Sequence, residues 1–507
     1  MRLRESESPS DIRARPKKLM MRISKSGRAF LACFWCFMFM GLHVHVSGAQ
    51  TDESPNIIFI LADDHSYHDV GAYGNEEVST PNIDALAEDG ITVERAYNMG
   101  SWSGAVCIPS RTMLQTGQSL WNAREVEKSR WRKRGNYWPQ LLREAGYRTY
   151  LTGKWHVPGI SPDTLYDVVR HERPGMPGDT EEMYQRPSLP SQEDPWSPTD
   201  PAFGGHWEGG THWSEVLVED FEIMLEDAQE HDDPFFMYLA FNAPHDPRQS
   251  PHEFVSRYPQ EDLQLPPNWL PEYPYNEEIA SGRDLRDERL APFPRTPYAT
   301  RVQRQEYYGI INHLDHQIGR IRRALEASGE ADNTWIVYTA DHGLAAGQHG
   351  LMGKQNVYEH SLRAPFIIVG PGIEGGRRVE GPIYIQDVVP TTLELAGLDV
   401  PDTVQFNSFM PMIEGESDES GRDAIYAAYR SHQRAVIKDD YKLIAYPKAE
   451  RVRLFDLEDD PYEVYDLVEQ EQEQYESKIR ELFGALDELQ EKRNDELDLE
   501  ASFSEWY

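Results

Sequence analysis

Asn56-Ile57-Ile58-Phe59-Ile60-Leu61-Ala62-Asp63-Asp64 is an apolar run that stops on two carboxylates. With no polar alternation, the run reads as a strand buried on both faces, as in the middle of a parallel sheet. Three further runs end in the same way: Arg148 to Leu151 ahead of Lys154, Phe235 to Phe241 ahead of His245, and Thr334 to Thr339 ahead of Asp341-His342. Helical stretches intervene at Ile83 to Glu88, Glu215 to Gln229 and Gln303 to Ala327. In the last, Tyr307, Ile310, Ile311, Leu314, Ile318, Ile321 and Leu325 form an apolar stripe at helical spacing. Strands alternating with helices predict an α/β fold on a large, mostly parallel sheet flanked by helices. Ligands of such sheets bind beyond the carboxyl ends of the strands, so the four polar stops are expected to meet on one edge.

Paired carboxylates directly after a buried strand are costly unless solvated, capping a helix or bound to a cation. Asp63 and Asp64, joined by Asp341 after a second strand, therefore read as metal ligands. Oxygen donors imply a hard divalent ion, Ca²⁺ first, with Mg²⁺ or Mn²⁺ as alternatives. His342 is placed in the same set, although imidazole is a softer donor than Ca²⁺ favours. Lys154 and His156, in Gly153-Lys154-Trp155-His156, point to the same side if the chain there is still extended. His245 sits between two prolines in Ala243-Pro244-His245-Asp246-Pro247, a stiff setting. Lys354 closes the glycine-bearing stretch His349-Gly350-Leu351-Met352-Gly353-Lys354.

Residues 1–49 read as an export signal: a basic stretch from Arg13 to Arg28, an apolar run from Phe30 to Val46, and the small residues Ser47-Gly48-Ala49 at a cleavage site. The apolar run is short for a spanning helix and carries His43 and His45, so cleavage is expected rather than a stable membrane anchor. Cys33 and Cys36 leave with it, and Cys107 remains as the single thiol, unable to form an internal disulfide. Pro109 places Cys107 at or just before a helix N-terminus, where anions are favoured, and Arg111 lies one turn on.

Cys107-Ile108-Pro109-Ser110-Arg111, continued by Thr112-Met113-Leu114-Gln115-Thr116-Gly117-Gln118, resembles the type I sulfatase signature. Further motifs of that family, within the alkaline phosphatase-like superfamily, recur in order as far as Tyr465-Asp466-Leu467. The resemblance implies that a maturation enzyme oxidises Cys107 to formylglycine, whose hydrate attacks sulfur. It implies a metal held by Asp63, Asp64, Asp341, His342 and residue 107, with catalytic roles for Cys107, Arg111, His156 and His245. Arg111 would orient the hydrate. Lys154, Lys354 and His245 would bind the sulfate group, His245 would protonate the leaving oxygen, and His156 would take the proton that lets sulfate leave. A serine could be sulfated but has no such exit, which is the chemical reason for an aldehyde.

The chain has 507 residues, 39% hydrophobic and 11% aromatic, enough for a large core and more than one domain. Its 86 acidic and 50 basic residues give a formal charge of −36, which repels nucleic acid and anionic membranes. An anionic substrate therefore needs a locally positive pocket. No Asn-x-Ser/Thr sequon is present, in keeping with bacterial export to the periplasm or medium. Residues 50–415 are expected to form the catalytic domain. Residues 416–507 are expected to form a smaller C-terminal subdomain with short antiparallel strands at Asp423 to Arg430, Arg434 to Lys438 and Tyr441 to Tyr446, then a helix. Met176 to Gly210 and Pro244 to Pro297 read as long loops shaping a cleft.

Arg124, Lys128, Arg130, Arg132, Lys133 and Arg134 cluster after the cysteine, interleaved with Trp121, Trp131, Tyr137 and Trp138. In so acidic a chain this segment reads either as lining subsites for a sulfated polysaccharide, rings on sugars and guanidiniums on anions, or as a solvated basic loop. The leading expectation is an exported sulfatase acting on a sulfated carbohydrate. The alternatives are a phosphoester or phosphonate hydrolase of the same superfamily, or a noncatalytic glycan-binding relative.

Overall fold

Every residue of β1 (Asn56–Ala62) is buried, as a strand covered on both faces requires. The computed structural model describes residues 54–129 and 137–507. The expected export segment and Arg130 to Arg134 therefore lie outside the described residues. With β2 (Ile91–Val93), β3 (Arg148–Lys154), β4 (Val168–Arg173), β5 (Phe235–Ala240), β6 (Thr334–Ala340), β7 (Phe366–Val369) and β8 (Arg377–Val379), β1 builds an eight-stranded sheet. The order is β8-β2-β7-β6-β1-β5-β3-β4. The five strands from β6 to β4 run parallel, and β7 is antiparallel to both β6 and β2.

Register brings the polar stops together. Ala62 pairs with Ala340, Leu61 with Ala240, and Ala240 with Gly153, so four parallel strands end nearly level. The ladder runs one step further through Asp341 N–H to the Ala62 carbonyl and Asp63 N–H to the Ala243 carbonyl, each 3.1 Å. Gly153 is required at its place: its φ is +97°, and a Cβ there would collide with the Ala240 carbonyl oxygen. A bulge between Leu151 and Gly153 then sets the direction of Lys154.

Helices at Trp213–Gln229 and Pro297–Ser328 share one apolar core with the sheet. Each outruns its expected span, because His212 and Thr296 cap the amides of Ser214 and Ala299 further upstream. Trp138 is wholly buried, edge-on to Phe59 at 5.1 Å, and donates to the Thr392 hydroxyl; Tyr137 is buried too. These two rings therefore belong to the core and not to a sugar-binding surface. No helix among the described residues is long and apolar enough to cross a membrane.

Toward the C-terminus β9 (Ile425–Tyr429), β10 (Gln433–Lys438), β11 (Tyr441–Tyr446) and β12 (Arg451–Asp456) form an antiparallel meander. The short strand Gly100–Ser101 joins it in parallel beside β9, tying the sheet to the segment that precedes Cys107. The helix Leu467–Arg493 buries Ile479, Leu482, Phe483 and Leu486. The Arg451–Asp456 strand was not expected, since its charged ends and Arg453 break an apolar run.

Candidate active site

The helix Cys107–Thr116 begins at the cysteine itself and points that end at the level ends of the parallel strands. Cys107 Sγ lies 3.3 Å from His342 Nε2, 3.4 Å from Lys354 Nζ and 4.0 Å from Asp64 Oδ1. Burial on its own would raise the thiol's pKa, but Lys154, Lys354 and His342 outweigh it and hold the group well below its ordinary value. This is the electropositive setting expected of a reactive cysteine.

Around it the charges alternate. Lys154 Nζ donates to Asp63 Oδ2 at 2.5 Å, and Lys354 Nζ donates to both oxygens of Asp64, at 2.8 and 2.6 Å. Arg111 Nε donates to Asp341 Oδ2 at 3.0 Å and Nη1 to the Lys154 carbonyl at 2.8 Å, with Nη2 3.6 Å from Asp63 Oδ1. Arg111 is thus spent on bracing the carboxylates and the end of β3. Burial lowers and Asp341 and Asp63 raise its pKa, leaving it firmly charged. Burial, with Cys107, Asp341 and Asp64 adding to it, pushes the Asp63 carboxyl well above the usual range against the pull of Lys154.

The expected metal set comes together as a unit. One donor atom from each of Asp63, Asp64, Cys107, Asp341 and His342 falls within 4.8 Å of the others, all buried. Asp63 Oδ1 is buried without a hydrogen-bond partner, so the donor set fits a cation. His342 Nδ1 faces the Gly343 carbonyl at 2.9 Å and Asp64 Oδ1 at 3.3 Å, and Nε2 is turned to the cluster, where it would have to give up its proton to hold a cation. Burial works against charging His342, yet Asp341 and Asp64 raise its pKa to about 9.

His245 Nδ1 lies 2.6 Å from the Asp246 carbonyl, and its Nε2 is 3.6 Å from Asp64 Oδ2. Asp246 in turn pairs with Arg286, which carries no sequence signal because it sits in the long loop ahead of Pro297. Burial opposes charge on Asp246, but Arg286 holds its carboxyl far below the usual range. His156 is not extended as expected: β3 stops at Lys154, and His156 takes a left-handed φ of 49°. Its ring still interacts with the thiol, and Gly175 packs close against the ring. Burial lowers its pKa more than the neighbouring thiol raises it.

Four supporting residues escaped the sequence reading. Tyr307 donates to the Asp64 carbonyl at 2.6 Å, and Asn98 Nδ2 and Ser110 Oγ donate to the Asp341 carbonyl at 2.6 and 2.8 Å. Gln355 donates to the Gly104 carbonyl at 3.2 Å, fastening the loop before Cys107 to the neighbour of Lys354. Tyr307 is on the predicted apolar stripe, where only its hydroxyl hinted at more than packing.

A family model described as Sulfatase matches residues 55–398, and one described as N-sulphoglucosamine sulphohydrolase, C-terminal, matches residues 347–492. The chain belongs to the sulfatase family and is a sulfuric ester hydrolase. It is 27% identical to the N-acetylglucosamine-6-O-sulfatase of Bacteroides thetaiotaomicron, over 88% of each chain. A solved structure in complex with its substrate D-glucosamine-2-N,6-O-disulfate superposes with a TM-score of 0.67 at 25% identity, covering 88% of this chain and 99% of that one. The phosphonate monoester hydrolase of Agrobacterium radiobacter shares the fold, with a TM-score of 0.67 at 23% identity over 87% and 95% of the two chains.

Proposed function

We propose that the protein is an exported sulfatase that removes sulfate from a sulfated carbohydrate, using a formylglycine made from Cys107 and a divalent cation, Ca²⁺ by the hardness of its donors. One observation carries this reading: a solitary cysteine at a helix start is held between two buried lysines, a carboxylate-rich cluster and a histidine. The carbohydrate substrate is favoured by the glucosamine sulfatase relative and by the neighbour bound to a glucosamine disulfate.

Cys107 Sγ stands where the oxygens of a hydrated aldehyde would lie. Asp63, Asp64, Asp341 and His342, with residue 107, would hold the cation, which supplies positive charge for an anionic transition state. Formylglycine would supply, as its hydrate, an oxygen nucleophile that displaces the sugar oxygen from sulfur and a second hydroxyl whose loss of a proton gives sulfate a way out. Lys154 and Lys354 neutralise the sulfuryl oxygens. His245 has its Nδ1 tied to the Asp246 carbonyl, so Nε2 is the atom free to hand a proton to the leaving sugar oxygen. His156 takes the proton of the second hydroxyl. Arg111 keeps the carboxylates and Lys154 in place.

In this reading residues 1–49 direct export to the periplasm or the medium, with no stable membrane anchor and no nucleic-acid partner. A formylglycine-generating maturation enzyme is the obligatory partner. Mass spectrometry of the Cys107 peptide from active, native-source protein tests the proposal. An aldehyde at position 107, with release of sulfate from sulfated sugars, supports it; a free thiol in fully active protein rules it out.

A further inference from the structure

Beside the nucleophile's loop lies a cleft of about 550 Å³, within the roughly 300–1,000 Å³ of small-ligand sites. Its walls include Trp102, Trp121, Arg124, Lys128, Arg430 and Arg434. The fold places it there for a definite reason. Ser101 pairs with Tyr429 in the parallel ladder, so the next residues, Trp102 and Arg430, leave side by side. Cys107 follows five residues after Trp102, and Gln355 fastens the intervening Gly104 beside Lys354.

The charges in the cleft are unevenly spent. Lys128 pairs with Glu125 and Arg434 with Asp495. Arg124 and Arg430 have no carboxylate within ion-pair distance among the described residues, while Glu496 is the lone unpaired acid of the lining. Two guanidiniums without an acidic partner are notable in a chain of charge −36, although Arg430 also meets the Tyr429 hydroxyl. They are also held in position. Arg124 lies over one ring, Trp121, at 5.8 Å, and Arg434 braces the same ring at 5.2 Å. Arg430 keeps a left-handed φ of 48°, with its carbonyl accepting from Arg434 Nη1 at 2.7 Å and its amide donating to Ser101. Trp102 is half-buried and pinned through Nε1 to Glu127 at 3.1 Å.

We infer that this cleft is a second saccharide subsite, which takes an anionic sugar adjoining the one that loses sulfate. Its carboxylate or sulfate pairs with Arg124 and Arg430, and its ring rests on Trp102. The inference rests on the carbohydrate-sulfatase reading, and among the described residues of the basic, aromatic segment Arg124, Lys128 and Trp121 contribute to it.

The test uses the full chain and its Arg124→Gln/Arg430→Asn double variant; asparagine tolerates the left-handed backbone at 430. Binding of heparin, chondroitin sulfate and carrageenan tetrasaccharides is measured calorimetrically in a Cys107→Ser background, which prevents turnover, with cellotetraose as the neutral control. At least one anionic tetrasaccharide should bind better than cellotetraose, and the double variant should weaken it about tenfold or more. The matured double variant should keep aryl sulfate turnover within about twofold. No preference for any anionic member, no loss in the variant, or an equal loss on aryl sulfate overturns the subsite. Failure of the matured wild type to release sulfate from any ester overturns the underlying reading instead, and the calorimetry still decides the cleft.

Discussion

Gly175→Ala isolates the second half of the proposed reaction. A Cβ on Gly175 would stand 2.5 Å from Cε1 of His156 and nearer still to Nε2 and Cδ2, where ordinary contact begins at 3.4 Å. The imidazole, or the loop behind it, must therefore yield by about 1 Å, and misplacing a catalytic group by that much costs on the order of 100-fold. The loss should fall on one step alone, because His156 acts after the sugar or aryl alcohol has left. With 4-nitrophenyl sulfate, rapid mixing of matured enzyme should show a burst of nitrophenol approaching one equivalent per active site, followed by turnover slowed by about 100-fold. His156→Ala should show the same burst with an equal or slower steady rate. Unchanged turnover in Gly175→Ala would mean that His156 does not need its observed place. A variant that lost burst and turnover together would move His156 into the first step and refute the division of labour with His245.

Asp341→Asn removes the carboxylate that faces Arg111 Nε at 3.0 Å, and breaking such a buried pair costs about 3–5 kcal/mol. Urea unfolding in the presence of a chelator should show that loss, together with abolished turnover; an unshifted midpoint would count against the pair. Treating matured wild-type enzyme with chelator should remove turnover and added Ca²⁺ should restore it, whereas indifference to chelation would dismiss the cation. Arg286→Met leaves Asp246 without its partner, so His245 should lose its fixed orientation and kcat should fall about tenfold with KM little changed; a pure KM effect would assign Arg286 to substrate binding. Glu463 is raised to about 7 by burial, Glu359 adding to this and Lys442 opposing it. The folded protein therefore holds a proton there that the unfolded chain releases nearer 4.5, and this share of stability is present at acidic pH and fades as pH rises toward 7. Thermal unfolding of Glu463→Gln should lose that slope between acidic and neutral pH, and an unaltered slope would show that the proton sits elsewhere.

Much of the site was legible because its chemistry sits at strand ends. An apolar run that halts at Asp63-Asp64 or Asp341-His342 declares both the strand and the residues it delivers, and parallel register then fixes where they meet. What stayed hidden depends on backbone geometry and long-range partners. The left-handed turn at His156 has no signature in Trp155-His156-Val157, and the glycine that makes room for it is nineteen residues on. Arg286 reaches Asp246 across forty residues of irregular chain, where no periodicity exists to be read. Trp138 misled because an aromatic residue in a basic stretch looks like a surface feature, while its ring fills the space against Phe59 and Phe236.

Charge balance joins the site to its substrate. Near Cys107 the carboxylates of Asp63, Asp64 and Asp341 are matched by Lys154, Lys354 and Arg111, three against three. With His342 neutral as a ligand, the proposed divalent cation leaves a double positive charge, of which the nucleophile consumes one on losing its proton; the surplus of about one suits a sulfate monoester with its single negative charge. A phosphate monoester near −2 would be undercompensated. A phosphonate monoester also carries one charge, so the centre itself treats the two alike and discrimination has to arise outside it. In the proposed subsite Arg124 and Arg430, which lack carboxylate partners among the described residues, would provide that discrimination, because they would reward an ester embedded in an anionic glycan and give a small phosphonate nothing to hold. In the proposed reaction residue 107 would set the chemistry, and the cleft walled by Trp102, Arg124 and Arg430 would set which glycan reaches it.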